Sequence, residues 1–165
     1  LTLLAAAVVL ALFITGADGQ YFAGAALFTS VLHLVRMLRW RGWKTLSSPL
    51  VAVLHLSYLW VPVGFLLLAL AGAGVVTETA ALHAWTVGGV ASTTLAVMTR
   101  ASLGHAGLPL EDSRLLTSIY AAINLAALLR VSASLWTSQY DSLIALAGVF
   151  WCLAFILFLL RFTPR

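Results

Sequence analysis

The chain reads as six long apolar runs separated by short polar connections: Leu1–Ala17, Gln20–Leu38, Pro49–Ala71, Thr79–Thr99, Leu115–Val131 and Ser142–Leu160. A bilayer core about 30 Å thick needs about 20 mostly apolar helical residues, so the runs have about the length of transmembrane helices, with the first at the short end. The connections GADG, RWRGWKTLSS, GAGVVTE, RASLGHAGLPLEDSR and SASLWTSQYD carry the Gly, Pro, Ser and Asp that end helices and make turns. A membrane barrel would alternate apolar and polar residues, and these runs do not. The pattern predicts an all-α, polytopic transmembrane helix bundle with 1–165 as a single module. Leu1–Thr15 lacks the basic flank of a secretion signal and is followed by further spans, so it reads as a span.

Composition agrees with this reading. Of 165 residues, 62% are hydrophobic and 8% charged, with a mean hydropathy of +1.06; soluble domains average about 45–50% apolar and about 25% charged. The single cysteine, Cys152, lies inside an apolar run, which excludes a disulfide framework and Cys-rich metal sites. A net charge of +4 would fit a nucleic-acid partner only if the cations formed a patch. Instead they lie between the apolar runs. Arg36, Arg39, Arg41, Lys44, Arg100, Arg114, Arg161 and Arg165 fall on one side and only Arg130 on the other, eight of nine. By the positive-inside rule, the Arg36–Lys44 loop is expected in the cytoplasm, with Asp18, Glu78 and Asp141 on the outer side.

Polar groups are costly inside a membrane and mark candidate chemistry. His33 lies five residues before the inner end of the second span, and His55 six residues after the inner start of the third. At 1.5 Å per residue both sit roughly 7–9 Å below the inner surface. Equal depth on neighbouring helices is what two imidazoles need to share a metal, although an interhelical hydrogen bond makes the same demand. His105 follows the fourth span on the inner side, and His83 lies near its outer end. Drawn at about 100° per residue, His83, Thr86, Thr93, Thr94 and Met98 share an arc of about 140° on that span. Such a stripe fits a cofactor pocket or polar path, while Gly88, Gly89, Ser92 and Thr93 also suit close helix packing. Arg100 has the chemistry to pair with a cofactor carboxylate or to snorkel to the interface. Pro62 should kink the third span and free carbonyls that need partners. Asn124, mid-span, reads as an interhelical hydrogen bond. No span carries paired acids, and no phosphate loop, Ser–His–Asp arrangement or HExxH occurs.

Two blocks resemble the NnrS family. The first is RMLRWRGWKTLSSPLVAVLHLSYLWVPVG, with its basic Trp-rich loop and H-x-x-Y-x-W helix. The second is LHAWTVGGVASTTLAVMTRASLGHAG, with an H-x-x-T-V-G start and an M-T-R-x-S-L-G-H finish. The resemblance implies a bacterial inner-membrane protein of the nitric oxide response that contains haem and copper. It also implies that the chain is the C-terminal half of a larger, roughly twelve-span protein, with the N-terminal half and the lipid bilayer as partners and nitric oxide as a ligand. Imidazole holds haem iron, and copper accepts imidazole and thioether. The residues the resemblance offers are therefore His33, His55, Tyr58, Arg100 and His105 for the cofactor, and His33, His55, His83, Met98 and His105 for metals. His33 and His55, at matching depth, are the expected axial pair for haem, with His105 and Arg100 nearby, and His83 is expected to serve copper or a polar partner from the N-terminal half. A transporter half, with a polar path along the fourth span, is the alternative from another class; the lack of intramembrane acids argues against ion coupling.

Overall fold

The computed structural model describes residues 1–163 and arranges them as six helices. These are α1 (Thr2–Ile14), α2 (Gly19–Arg39), α3 (Pro49–Gly72), α4, α5 (Arg114–Leu135) and α6 (Tyr140–Phe162). Helix α4 runs through three consecutive segments: α-helical Glu78–His83, π-helical Ala84–Ala91 and α-helical Ser92–His105. No strand occurs among the described residues, and the all-α bundle expected from the pattern is what forms. Four helices, Gly19–Arg39, Pro49–Gly72, Arg114–Leu135 and Thr137–Phe162, are long and apolar enough to cross a membrane, and α1 is a shorter apolar helix. Arg165, counted among the inner cations above, lies outside the described residues.

The boundaries have local causes. Pro49 opens α3 at a position where its missing N–H is not needed. Helices α3 and α4 end on Gly74 and Gly107, whose positive φ values of 74° and 64° suit a residue without Cβ. Past them Val75 N–H donates to Leu70 O and Leu108 N–H to Leu103 O, both at 2.9 Å, the reverse bond that closes such caps.

Helix α3 is the centre of the bundle, packed against α2, α4 and α5. Two of its carbonyls at Pro62 accept side-chain hydrogen bonds from neighbouring helices. Ser30 Oγ donates to Pro62 O at 2.8 Å, and Trp85 Nε1 donates to Val61 O at 3.1 Å. Helices α3 and α4 interlock through two glycine–tryptophan pairs. A Cβ on Gly64 would meet Trp85 Nε1 at 2.0 Å, and one on Gly88 would meet Trp60 Cδ2 at 2.2 Å. Each indole thus lies on the other helix's backbone, the close approach that drives association where lipid offers no hydrophobic force between helices. Trp60 Nε1 then reaches Asn124 Oδ1 on α5 at 3.0 Å, which confirms the interhelical role expected of Asn124.

The core divides along the bundle axis. One cluster joins Phe22, Trp60, Leu68, Ala84 and Val131; the other joins Leu50, Leu95, Leu116, Ile123 and Phe158. At the cation-rich end, polar contacts tie the helix ends together. Arg100 Nη1 donates to Leu50 O (3.2 Å), Leu50 N–H donates to Asp112 Oδ1 (3.0 Å), and Arg36 Nη1 donates to Thr2 Oγ1 (3.1 Å). The start of α1, the end of α2, the start of α3 and the end of α4 therefore share one end of the bundle, the arrangement that the charge pattern predicted.

Candidate functional site

His33 sits on the face of α2 that meets α3 and is only 3% exposed. Its Nδ1 is 2.7 Å from Tyr58 Oη, and its ring stacks on Phe65 with centroids 5.6 Å apart. Its other nitrogen, Nε2, is buried and makes no hydrogen bond of ordinary geometry, although the Thr2 backbone lies near the ring. A buried polar atom without a partner costs free energy, so Nε2 has the capacity to take a ligand. If Nδ1–H donates to the Tyr58 oxygen, Nε2 presents a lone pair, which is the tautomer a metal-bound imidazole adopts.

The imidazole lines a cavity of about 1090 Å³ between α1, α2, α3 and α4. That volume is ample for a large cofactor, since small-molecule sites commonly measure about 300–1,000 Å³. Its walls are mostly apolar, with Leu3 and Leu10 from α1 and Phe65 and Trp85 from α3 and α4. The polar or sulfur-bearing exceptions are His33, Arg36, Ser57, Tyr58, Thr93, Thr94 and Met98. Arg36 lies one turn beyond His33, with its guanidinium 5.2 Å from the Trp40 ring centroid. Of the candidate cofactor and metal ligands named from the sequence, the structure brings together His33, Tyr58 and Met98.

The others lie elsewhere. His55 lines a second cavity of about 450 Å³ with Trp43 and Tyr120. Its ring lies 6.1 Å from that of Trp40, and a Cβ on Gly42 would meet its Cγ at 2.8 Å. His33 and His55 match in depth but not in azimuth: α3 directs His55 toward α5 and the Gly42–Thr45 turn, and Tyr58 toward α2. They do not line one cavity. Arg100 is bonded to Leu50 O, and His105 is exposed at the end of α4. His83 Nδ1 lies 2.7 Å from Thr79 O, and exposed Thr86 donates back to Leu82 O at 2.8 Å.

The arc expected on α4 does not hold through its length. Thr93, Thr94 and Met98 line the main cavity, but His83 and Thr86 do not. The physical reason is the π-helical segment Ala84–Ala91. Bonds from i to i+5 give a wider turn than the α-helix, so an angle of 100° per residue loses phase across these eight positions. Sequence reasoning also passed over Arg36, which it took only as an orientation signal. The available clue was its spacing of three from His33, which puts both on one helix face.

Among the described residues no three His, Cys, Asp or Glu side chains converge as a metal-binding group. A macrocycle that carries its own four equatorial donors needs only an axial imidazole, and His33 fits that demand. A protein-only copper centre needs more donors than this cavity gathers.

A family model described as "NnrS protein" matches residues 1–165. No curated protein and no solved structure matches the chain.

Proposed function

The chain belongs to the NnrS family, membrane proteins of the nitric oxide response, and from that premise we propose that it binds haem in the cavity between α1 and α4, with His33 as axial ligand. The supporting observation is the buried, unpartnered Nε2 of His33 on a cavity of about 1090 Å³. Bound haem would supply an iron coordination position at which a small diatomic ligand such as nitric oxide binds. The chain's own residues do the rest. Tyr58 holds the imidazole by its Nδ1 and so fixes which nitrogen faces the iron. Phe65 and Trp85 supply apolar wall that excludes water from the ring.

Copper enters this reading more narrowly. Met98 offers a thioether in the same cavity, and the bond of His83 to Thr79 O leaves its Nε2 free. Either would need donors from outside the residues gathered here. The cation-rich end is assigned to the cytoplasmic face of a bacterial inner membrane, on the strength of the charge bias.

An optical spectrum and metal count on protein purified from haem-sufficient cells test the reading. Wild type should show a Soret band, His33→Ala should lose or shift it while still inserting in the membrane, and His55→Ala should retain it. Retention of the wild-type spectrum by His33→Ala, or loss confined to His55→Ala, overturns the assignment.

A further inference from the structure

Resting on the haem reading of the His33 cavity, we propose that Arg36 anchors the carboxylates of the bound tetrapyrrole and so fixes which edge of the ring faces the cation-rich end of the bundle. Arg36 is three residues past His33 on α2, which places the two side chains on one face with the guanidinium a turn nearer that end. It lines the main cavity and also an adjoining one of about 510 Å³, which it shares with Thr2, Arg39 and Trp40. Arg36 and Trp40 are thus walls common to both spaces. One is an apolar chamber suited to a flat ring; the other is lined by two arginines.

Arg36 has donors to give. A guanidinium carries five N–H groups in a planar fork, and here its hydrogen bond goes from Nη1 to Thr2 Oγ1 at 3.1 Å. Its face packs over Trp40, which holds the plane without using the donors. None of the side chains lining either cavity is a carboxylate, so no acid there offsets its charge. The fork matches a carboxylate's two oxygens, and a lysine in its place would keep the charge and lose the geometry. Arg100, the arginine that sequence reasoning offered for this task, is bonded to Leu50 O and lines neither cavity. A ligand with an apolar planar body and acidic groups on one edge satisfies both spaces at once: its metal at His33, its acids at Arg36.

The test compares binding of haem with haem dimethyl ester, whose acids are blocked, by absorbance titration of the full chain prepared without haem in detergent micelles. Wild type should bind the free acid about tenfold or more tightly than the ester, the size expected of a charge-assisted hydrogen bond. Arg36→Gln should bind both forms alike, near the ester's affinity, and keep the Soret position of the His33-ligated form. Arg36→Lys should recover part of the preference, and Arg100→Gln should keep all of it. Equal binding of acid and ester by wild type, an undiminished preference in Arg36→Gln, or a preference lost in Arg100→Gln overturns the anchor while leaving the haem reading intact. Binding of neither form by wild type overturns the haem reading itself, and the anchor with it.

Discussion

At His33 the chemistry depends on which ring nitrogen carries the proton, and Tyr58 is placed to decide it. With Nδ1–H donating to Tyr58 across the 2.7 Å contact, Nε2 is left as the free donor atom. Removing that contact should not unfold the helix pair, because the Tyr58 ring keeps its packing on Trp40 at 4.6 Å. Tyr58→Phe is therefore expected to fold, to bind haem about 10–100-fold more weakly, as loss of an outer-shell partner does, and to shift the Soret band. Unchanged affinity and spectrum would show that the hydroxyl does not set the imidazole. Asn124 gives a second test. It is the acceptor for the buried Trp60 indole, and Asn124→Leu strands that N–H. The expected loss is about 0.5–2 kcal/mol of bundle stability, the range of interhelical hydrogen bonds in membranes, read by thermal unfolding in detergent. At this scale the sequence told residue type and depth but not direction. Nothing in a histidine's position along α2 or α3 says which neighbour it faces, so His33 and His55 read as a pair although the packed rings of Tyr58 and Trp40 link them, His33 against Tyr58 and His55 against Trp40.

Helix ends were far more legible than side-chain directions. Predicted spans 20–38, 49–71 and 142–160 differ from Gly19–Arg39, Pro49–Gly72 and Tyr140–Phe162 by at most two residues at either end, because prolines, glycines and charges mark where an apolar helix must stop. The π-helical segment was not legible. A stretch such as AWTVGGVA suits an α-helix equally well, and only the Trp85 seat on Gly64 and the Trp60 seat on Gly88 accompany the wider turn in the folded bundle. These seats can be tested. Gly64→Ala places a methyl inside the Trp85 indole and should destabilise the protein by about 1–3 kcal/mol, the usual cost of overpacking. Trimming Trp85 to Leu in the same chain should recover part of that loss. A Gly64→Ala protein that melts at the wild-type temperature would show that the two helices are not locked at this point.

For the molecule as a whole, the gathered cations set an orientation that labelling can read. With the exposed native Cys152 first replaced by Ser, a cysteine at position 44 should react only from the cytoplasmic side and one at position 78 only from the outer side. Labelling from the same side would overturn the arrangement of spans. The two-ended design was visible in the sequence because charge bias survives without any knowledge of packing. The cavity was not, because it is made of the space left between four helices. Its rim has a consequence of its own. Leu3 of α1 and Val90 and Val97 of α4 border the main cavity and are exposed on the surface of this chain, so wherever acyl chains reach this face the cavity opens sideways into oil. A molecule on its way to His33 is then sorted first by how well it dissolves in hydrocarbon. Ions and sugars are held back by the cost of shedding their water, while small uncharged molecules accumulate around the opening, and the lipid itself becomes the extraction phase that feeds the site.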